Sequence, residues 1–330
     1  MSNRFYRFLC LTICVGLIAH PGQAASAPKA SNASAIAWEA GLDKMSSVSA
    51  GLDHTCGIKL DGTVACWGSN SDGKTDPPAE VFSLISPGDD HKISASTFHN
   101  CGIKQDGTVE CWGNDDDGQS SPPVGTFKQI SAGGSHTCGV KADDTVACWG
   151  LDLDGQTSPP EGENFKQVSA GLQHACGVKL DETLACWGNP FLPEIYDTPD
   201  GTFKQISAGG YHNCAVKKSD NTLACWGAGT ENTGIDPDYG QAMPPGDAFT
   251  QVSAGGYHTC GIRTNGTVAC WGYNYYNQAT PPAGVFTQVS AGDFHTCGIR
   301  QDGTVTCWGD NSSGQAPRGV TPLFLPLVSR

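Results

Sequence analysis

Seven times along the chain a histidine stands two residues ahead of a cysteine, at His54, His99, His136, His174, His212, His258 and His295. A second cysteine follows ten residues later, or eleven in the fifth case, and tryptophan comes directly after it. On an extended strand His54 and Cys56 share a face, and Cys66 joins them if the chain folds back as a hairpin. Three nitrogen and sulfur ligands on one face would suit zinc. The same cysteines suit a disulfide equally well, and an oxidising compartment favours the disulfide. We therefore expect structural histidines, one disulfide per hairpin and no metal.

The other candidate chemistry is weaker. Residues 114–118 and 152–155 carry closely spaced carboxylates but lack the distal carboxylate and ligand order of a calcium loop. Serine and histidine recur in every copy, so no copy is marked out by an extra acid or base, and no glycine-rich phosphate loop is present. No cofactor and no enzymatic activity are expected. The tryptophans Trp67, Trp112, Trp149, Trp187, Trp226, Trp271 and Trp308 alternate to the face opposite the cysteines, where strict recurrence points to packing between repeats.

These residues belong to a repeat, whose copies open at Val48, Ile93, Ile130, Val168, Ile206, Val252 and Val289, with insertions after the first and fifth. Within a copy, segments such as HTCGIR and TVACWG are rich in β-branched residues and are joined by Leu-Asp-Gly, Gln-Asp-Gly or Thr-Asn-Gly, which is hairpin chemistry. A three-residue loop at Leu60–Gly62 sets Cys56 directly opposite Cys66, within reach of a disulfide. The same register gives Cys101–Cys111, Cys138–Cys148, Cys176–Cys186, Cys260–Cys270 and Cys297–Cys307, while Cys214–Cys225, with one extra intervening residue, needs a turn of a different length. The segment before each hairpin supplies a further strand, and the Gln-x-x-x-Pro-Pro tail is a candidate fourth. Such a unit cannot bury both faces alone, and no polar end caps are visible, so the copies are expected to close radially into an all-β, seven-bladed β-propeller.

Compartment and charge narrow the function. Arg4 and Arg7 precede an apolar run from Phe8 to Ala19 and a small-residue stretch, the pattern of an export signal cleaved after Ala24. We expect a signal peptide at 1–24, a linker at 25–44 and the propeller at 45–330. Cleavage moves the formal charge from -14 to -16 and removes Cys10 and Cys14, leaving an even 14 cysteines. A chain this acidic repels phosphate backbones and anionic membrane surfaces, which argues against nucleic acid as a partner.

The pattern Ser-Ala-Gly-x-x-His-Thr, then Asp-Gly-Thr-Val, then Trp-Gly-x-Asn-x-x-Gly-Gln resembles the repeats of the regulator of chromosome condensation family, from Val48 to Gln315. The resemblance implies a seven-bladed propeller. The cysteine-bearing version is more similar to the secreted branch that includes propeller-type β-lactamase inhibitors and crinkly-type receptor ectodomains. By that resemblance the expected function is a secreted, monomeric binding module, extracellular or periplasmic, that recognises a protein or glycan through one face. An exchange factor for a guanine-nucleotide protein and an enzyme with a site in the central channel are the alternatives. The export signal argues against the first of these.

Two residues between Ser-Ala-Gly and His vary from copy to copy while their neighbours do not. They fall at a bend between strands, so they should gather at one end of the ring. Phe98, Tyr211, Tyr257 and Phe294 occupy the second of these positions, and Tyr273, Tyr275 and Tyr276 enrich a neighbouring loop. These seven aromatics are the candidate partner-binding residues, because aromatic anchors in a polar surround are the usual energetic centre of an interface.

Overall fold

The computed structural model describes residues 44–83, 93–95, 98–189 and 197–317, with only the backbone described at 93–95. Seven antiparallel three-stranded sheets span 45–68, 93–113, 127–150, 165–188, 203–227, 249–272 and 286–309. The third is representative, with strands Phe127–Ala132, His136–Lys141 and Val146–Gly150 in sequential order. Among the described residues there is no α-helix, and one 3-10 turn occurs at Ser71–Gly73.

Each hairpin is held by its own turn. In the first, Gly62 takes φ 86°, a value open to glycine, and Asp61 accepts hydrogen bonds from the Thr63 amide at 2.9 Å and the Thr63 hydroxyl at 2.7 Å. This register places Cys56 opposite Cys66. All seven intrablade cysteine pairs are disulfide-bonded, the fifth across the longer turn. The expected fourth strand is absent from the described blades. Proline cannot donate to a ladder, and the tail instead offers its glutamine carbonyl to the next blade: Gln119 O accepts from Trp149 Nε1 at 3.0 Å.

The core is divided into seven interfaces between blades. In each, a disulfide and the aliphatic residues of one blade meet the tryptophan of the next, as Cys138 and Val140 meet Trp187. Phe165 lies on that seam at 5.7 Å from Trp187. Polar clamps fix the spacing: the Val168 amide donates to Gln129 Oε1 and the Ala170 amide to Ser131 Oγ, both at 2.9 Å. The last interface repeats the device between the two ends of the chain. The Val48 amide donates to Gln288 Oε1 and the Ala50 amide to Ser290 Oγ, and Met45, Val48 and Trp67 pack on Cys297, Ile299 and Val305. Met45–Ala50 therefore seals the ring. Residues 325–329, whose sequence echoes the first strand of each blade and which we expect to pack alongside Met45–Ala50, lie outside the described residues.

Candidate binding face

The histidines are built into the inter-blade seams. His99 Nε2 donates to Thr137 Oγ1 of the next blade at 2.6 Å, and that hydroxyl donates to Gln119 O at 3.2 Å. Because the hydroxyl's proton is directed at a carbonyl, the imidazole proton resides on Nε2. His212, His258 and His295 make the same bond to Thr259, Thr296 and Thr55, while His54 and His174 donate to Asn100 and Asn213. His136 breaks the pattern. The matching position in blade four is Ala175, and neither ring nitrogen of His136 has a hydrogen-bond partner. Burial pushes the imidazoles of His99, His136, His212, His258 and His295 down to about 3, and that of His174 to about 4. Each ring is wholly buried and directed at a neighbouring blade. Their cysteine neighbours are consumed in disulfides, and the described residues hold no cluster of potential metal ligands.

Directly before each histidine the chain bends, and the seven bends are fixed at equivalent places. The carbonyl of the residue before histidine accepts from the amide that follows Trp-Gly, as in Tyr273 N to Tyr257 O at 2.9 Å and Ala228 N to Tyr211 O at 2.9 Å. Around the axis the bends touch one another: Gly210 N donates to Gly255 O, Gly256 N to Gly292 O, and Asp293 N to Gly51 O. A Cβ on Gly209 would lie 2.4 Å from Gly255 O, so the inner girdle requires glycine there. The small residues of these bends line the mouth of the central channel, together with Tyr211, Tyr257 and Asp293.

Six of the seven expected aromatics form one cluster that begins at that mouth, where Tyr211 and Tyr257 lie, and extends outward from it. Tyr257 stacks on Phe294 at 5.9 Å with an 18° interplanar angle and meets Tyr211 at 5.5 Å. Tyr273 lies 6.2 Å from Tyr257, Tyr275 6.4 Å from Tyr273, and Tyr276 5.7 Å from Phe294. A seventh ring, absent from the expectation, is Tyr239. It sits on a short hairpin, Asn232–Ile235 with Asp238–Tyr239, formed by the insertion after the fifth copy, and lies 4.7 Å from Tyr273 and 5.9 Å from Tyr257. The cluster crosses blades five, six and seven without a break. Phe98 stands apart in blade two, exposed and without a ring neighbour among the described residues. Tyr275 and Tyr276 remain 76% and 40% exposed, so the cluster faces solvent rather than closing a core.

The polar surround is acidic. Burial, and secondarily the charge of Asp53, raise the Asp293 carboxyl to about 6. Burial together with the hydrogen bond to Tyr211 raises the Tyr257 hydroxyl, with further contributions from the charges of Asp236 and Asp293. The closely spaced carboxylates of 114–118 and 152–155 take part in turn hydrogen bonds: Asp115 accepts from Ser120 N and Ser121 Oγ, and Asp152 from Thr157 N.

A sequence profile of the regulator of chromosome condensation (RCC1) repeat matches residues 45–74, 91–119, 127–156, 165–191, 203–233, 249–278 and 286–315, more than half of the chain. The chain belongs to this repeat family. Among solved structures, the RCC1-repeat propeller is similar to the entire ectodomain of the Physcomitrella patens receptor kinase CR4, at 26% identity and a TM-score of 0.66 over 81% of this chain and 74% of that one. It is also similar to the CRINKLY WD40 ectodomain of the Arabidopsis thaliana receptor kinase ACR4, at 25% identity and a TM-score of 0.66 over 84% of this chain and all of that one. Prp20p of Saccharomyces cerevisiae, studied for its binding to Gsp1p and histones, shares the fold at 16% identity and a TM-score of 0.59, over 75% and 80% of the two chains. No curated protein sequence matches the chain. Among the described residues, no helix is long and apolar enough to cross a membrane.

Proposed function

We propose that this RCC1-repeat propeller is a secreted binding module, not an enzyme, that engages a protein or glycan through the channel end of blades five to seven. The observation that carries the proposal is the continuous cluster of seven rings, from Tyr211 to Phe294, on an exposed end of a rigid ring. Aromatic side chains offer large contact area at small entropic cost, and truncating one central anchor commonly costs about 2 kcal/mol or more. A disulfide in every blade and the likeness to two receptor ectodomains support a place outside the cytoplasm.

The test is retention of a partner from the native extracellular fraction on the immobilised chain, compared with a Tyr257→Ala/Tyr273→Ala/Phe294→Ala variant. The expected result is loss of the retained partner with the melting temperature nearly unchanged. Equal retention by the variant would return the rings to a structural role.

A further inference from the structure

We infer that the partner presented to this end is a cationic polypeptide segment, rich in arginine and lysine, whose side chains lie against tyrosine faces between flanking carboxylates. The inference rests on the assignment of the aromatic end as the binding surface, and its second support is the distribution of charge between the two ends of the ring.

Each blade has a bend end, where the first strand turns into the histidine strand and the chain leaves Trp-Gly, and a hairpin end. Among the described residues, Lys74 is the sole lysine or arginine at the bend end, and it is 2% exposed and donates to Asp53 at 2.5 Å. The remaining described cations lie toward the hairpin end, closing the histidine strand as Lys59 and Arg300 do or opening the first strand as Lys128 does. Many are neutralised there: Lys128 pairs with Asp144, Lys166 with Glu182, and Arg263 with Asp247.

The bend end has carboxylates without matching cations. Asp236 and Asp238 sit on the hairpin that carries Tyr239, Asp293 lies between the bends of blades six and seven, and Asp310 follows the last Trp-Gly. Further round, Asp115, Asp116 and Asp117 are exposed in succession. A tyrosine face attracts a cation through the ring quadrupole, and a guanidinium also stacks on it, so rings and carboxylates at one end favour the same ligand. The field repels an acidic partner, and a neutral glycan gains nothing from it.

The experiment titrates the full propeller with an arginine-glycine repeat peptide, its glutamate-glycine counterpart and a neutral oligosaccharide, by calorimetry at low and at physiological ionic strength. We expect binding of the arginine peptide alone, weakened by salt. It should weaken about tenfold or more both in Tyr257→Ala/Tyr273→Ala and in the charge variant Asp236→Asn/Asp238→Asn/Asp293→Asn/Asp310→Asn. The hairpin-end control Asp106→Asn/Asp143→Asn/Asp181→Asn/Asp302→Asn removes the same charge and should bind unchanged. Equal weakening in the control would overturn the inference by showing only general attraction to an acidic chain. Preference for the oligosaccharide, or self-association that the ring variant abolishes, would overturn it by assigning a glycan or a second copy. Absence of arginine-peptide binding while ring-dependent partner retention persists would overturn the cationic assignment and leave the binding-module proposal standing.

Discussion

At the position after each seam histidine, threonine or asparagine gives the imidazole of the preceding blade an acceptor. Ala175 is the exception, and it leaves His136 wholly buried with both nitrogens unpartnered. Ala175→Thr should restore the missing acceptor, because Gln156 O stands where Gln119 O accepts from Thr137, and already accepts from Trp187 Nε1 at 3.1 Å. The expected gain is about 1 kcal/mol in chemical denaturation, with Ala175→Val giving no such gain because it supplies volume without a hydroxyl. A second residue carries a cost of its own. The Asp293 carboxyl is raised to about 6 from 3.8, so its contribution to stability is fully present below pH 3.8 and is lost as pH rises through 6. Asp293→Asn should therefore stabilise the fold by about 1–2 kcal/mol at neutral pH, after allowance for partial exposure, and by nothing near pH 3.5. Melting curves of the two proteins across that range would check it, and parallel curves would show that the Asp293 carboxyl carries no such cost.

Among the elements, the hairpin was the most legible. The Asp-Gly loops, the cysteine spacing and the β-branched flanks specify register without reference to the rest of the molecule, and the observed pairing of Cys56 with Cys66 follows from them. The role of the tail was not legible, because spacing alone does not reveal that the glutamine carbonyl is needed as an acceptor for the next blade's Thr hydroxyl and Trp indole. Tyr239 was invisible for a different reason. It lies in an insertion with no counterpart in the other copies, so the repeat provides no frame that would place it. Phe98 shows the converse: its bend position was legible, but circular order sets copy two away from copies five to seven, and its neighbouring bends carry Asp53 and Ser135 instead of rings. The inner bends make a sharper element-level prediction. Gly209→Ala would press a methyl group against Gly255 O, with His212 Cε1 at 2.9 Å and Ala254 Cβ at 3.1 Å leaving little room to yield. We expect a loss of about 2 kcal/mol or more in denaturant unfolding, because overpacking in a fixed frame displaces neighbours; a neutral result would mean that the girdle can widen.

For the whole molecule, the seam histidines act together. In the folded ring six of them are held well below 6.5 by burial, whereas in the unfolded chain they return to ordinary values. Their neutral forms therefore support the fold above pH 6.5, and that support is withdrawn as pH falls toward 3. Unfolding at pH 5 should take up about six protons from this source. Calorimetry in buffers of different ionisation enthalpy reads that number, and an uptake near zero would contradict the buried, neutral assignment. The same rigidity gives the proposed function its meaning, since a closed ring holds rings from three blades in one fixed arrangement. Covalent surface labelling of the tyrosines and Phe98, with and without the partner retained from the extracellular fraction, tests this most directly. Strong protection is expected at Tyr275 and Tyr276, with none at Phe98. Unchanged labelling of the tyrosine cluster, or protection confined to the hairpin end, would contradict it.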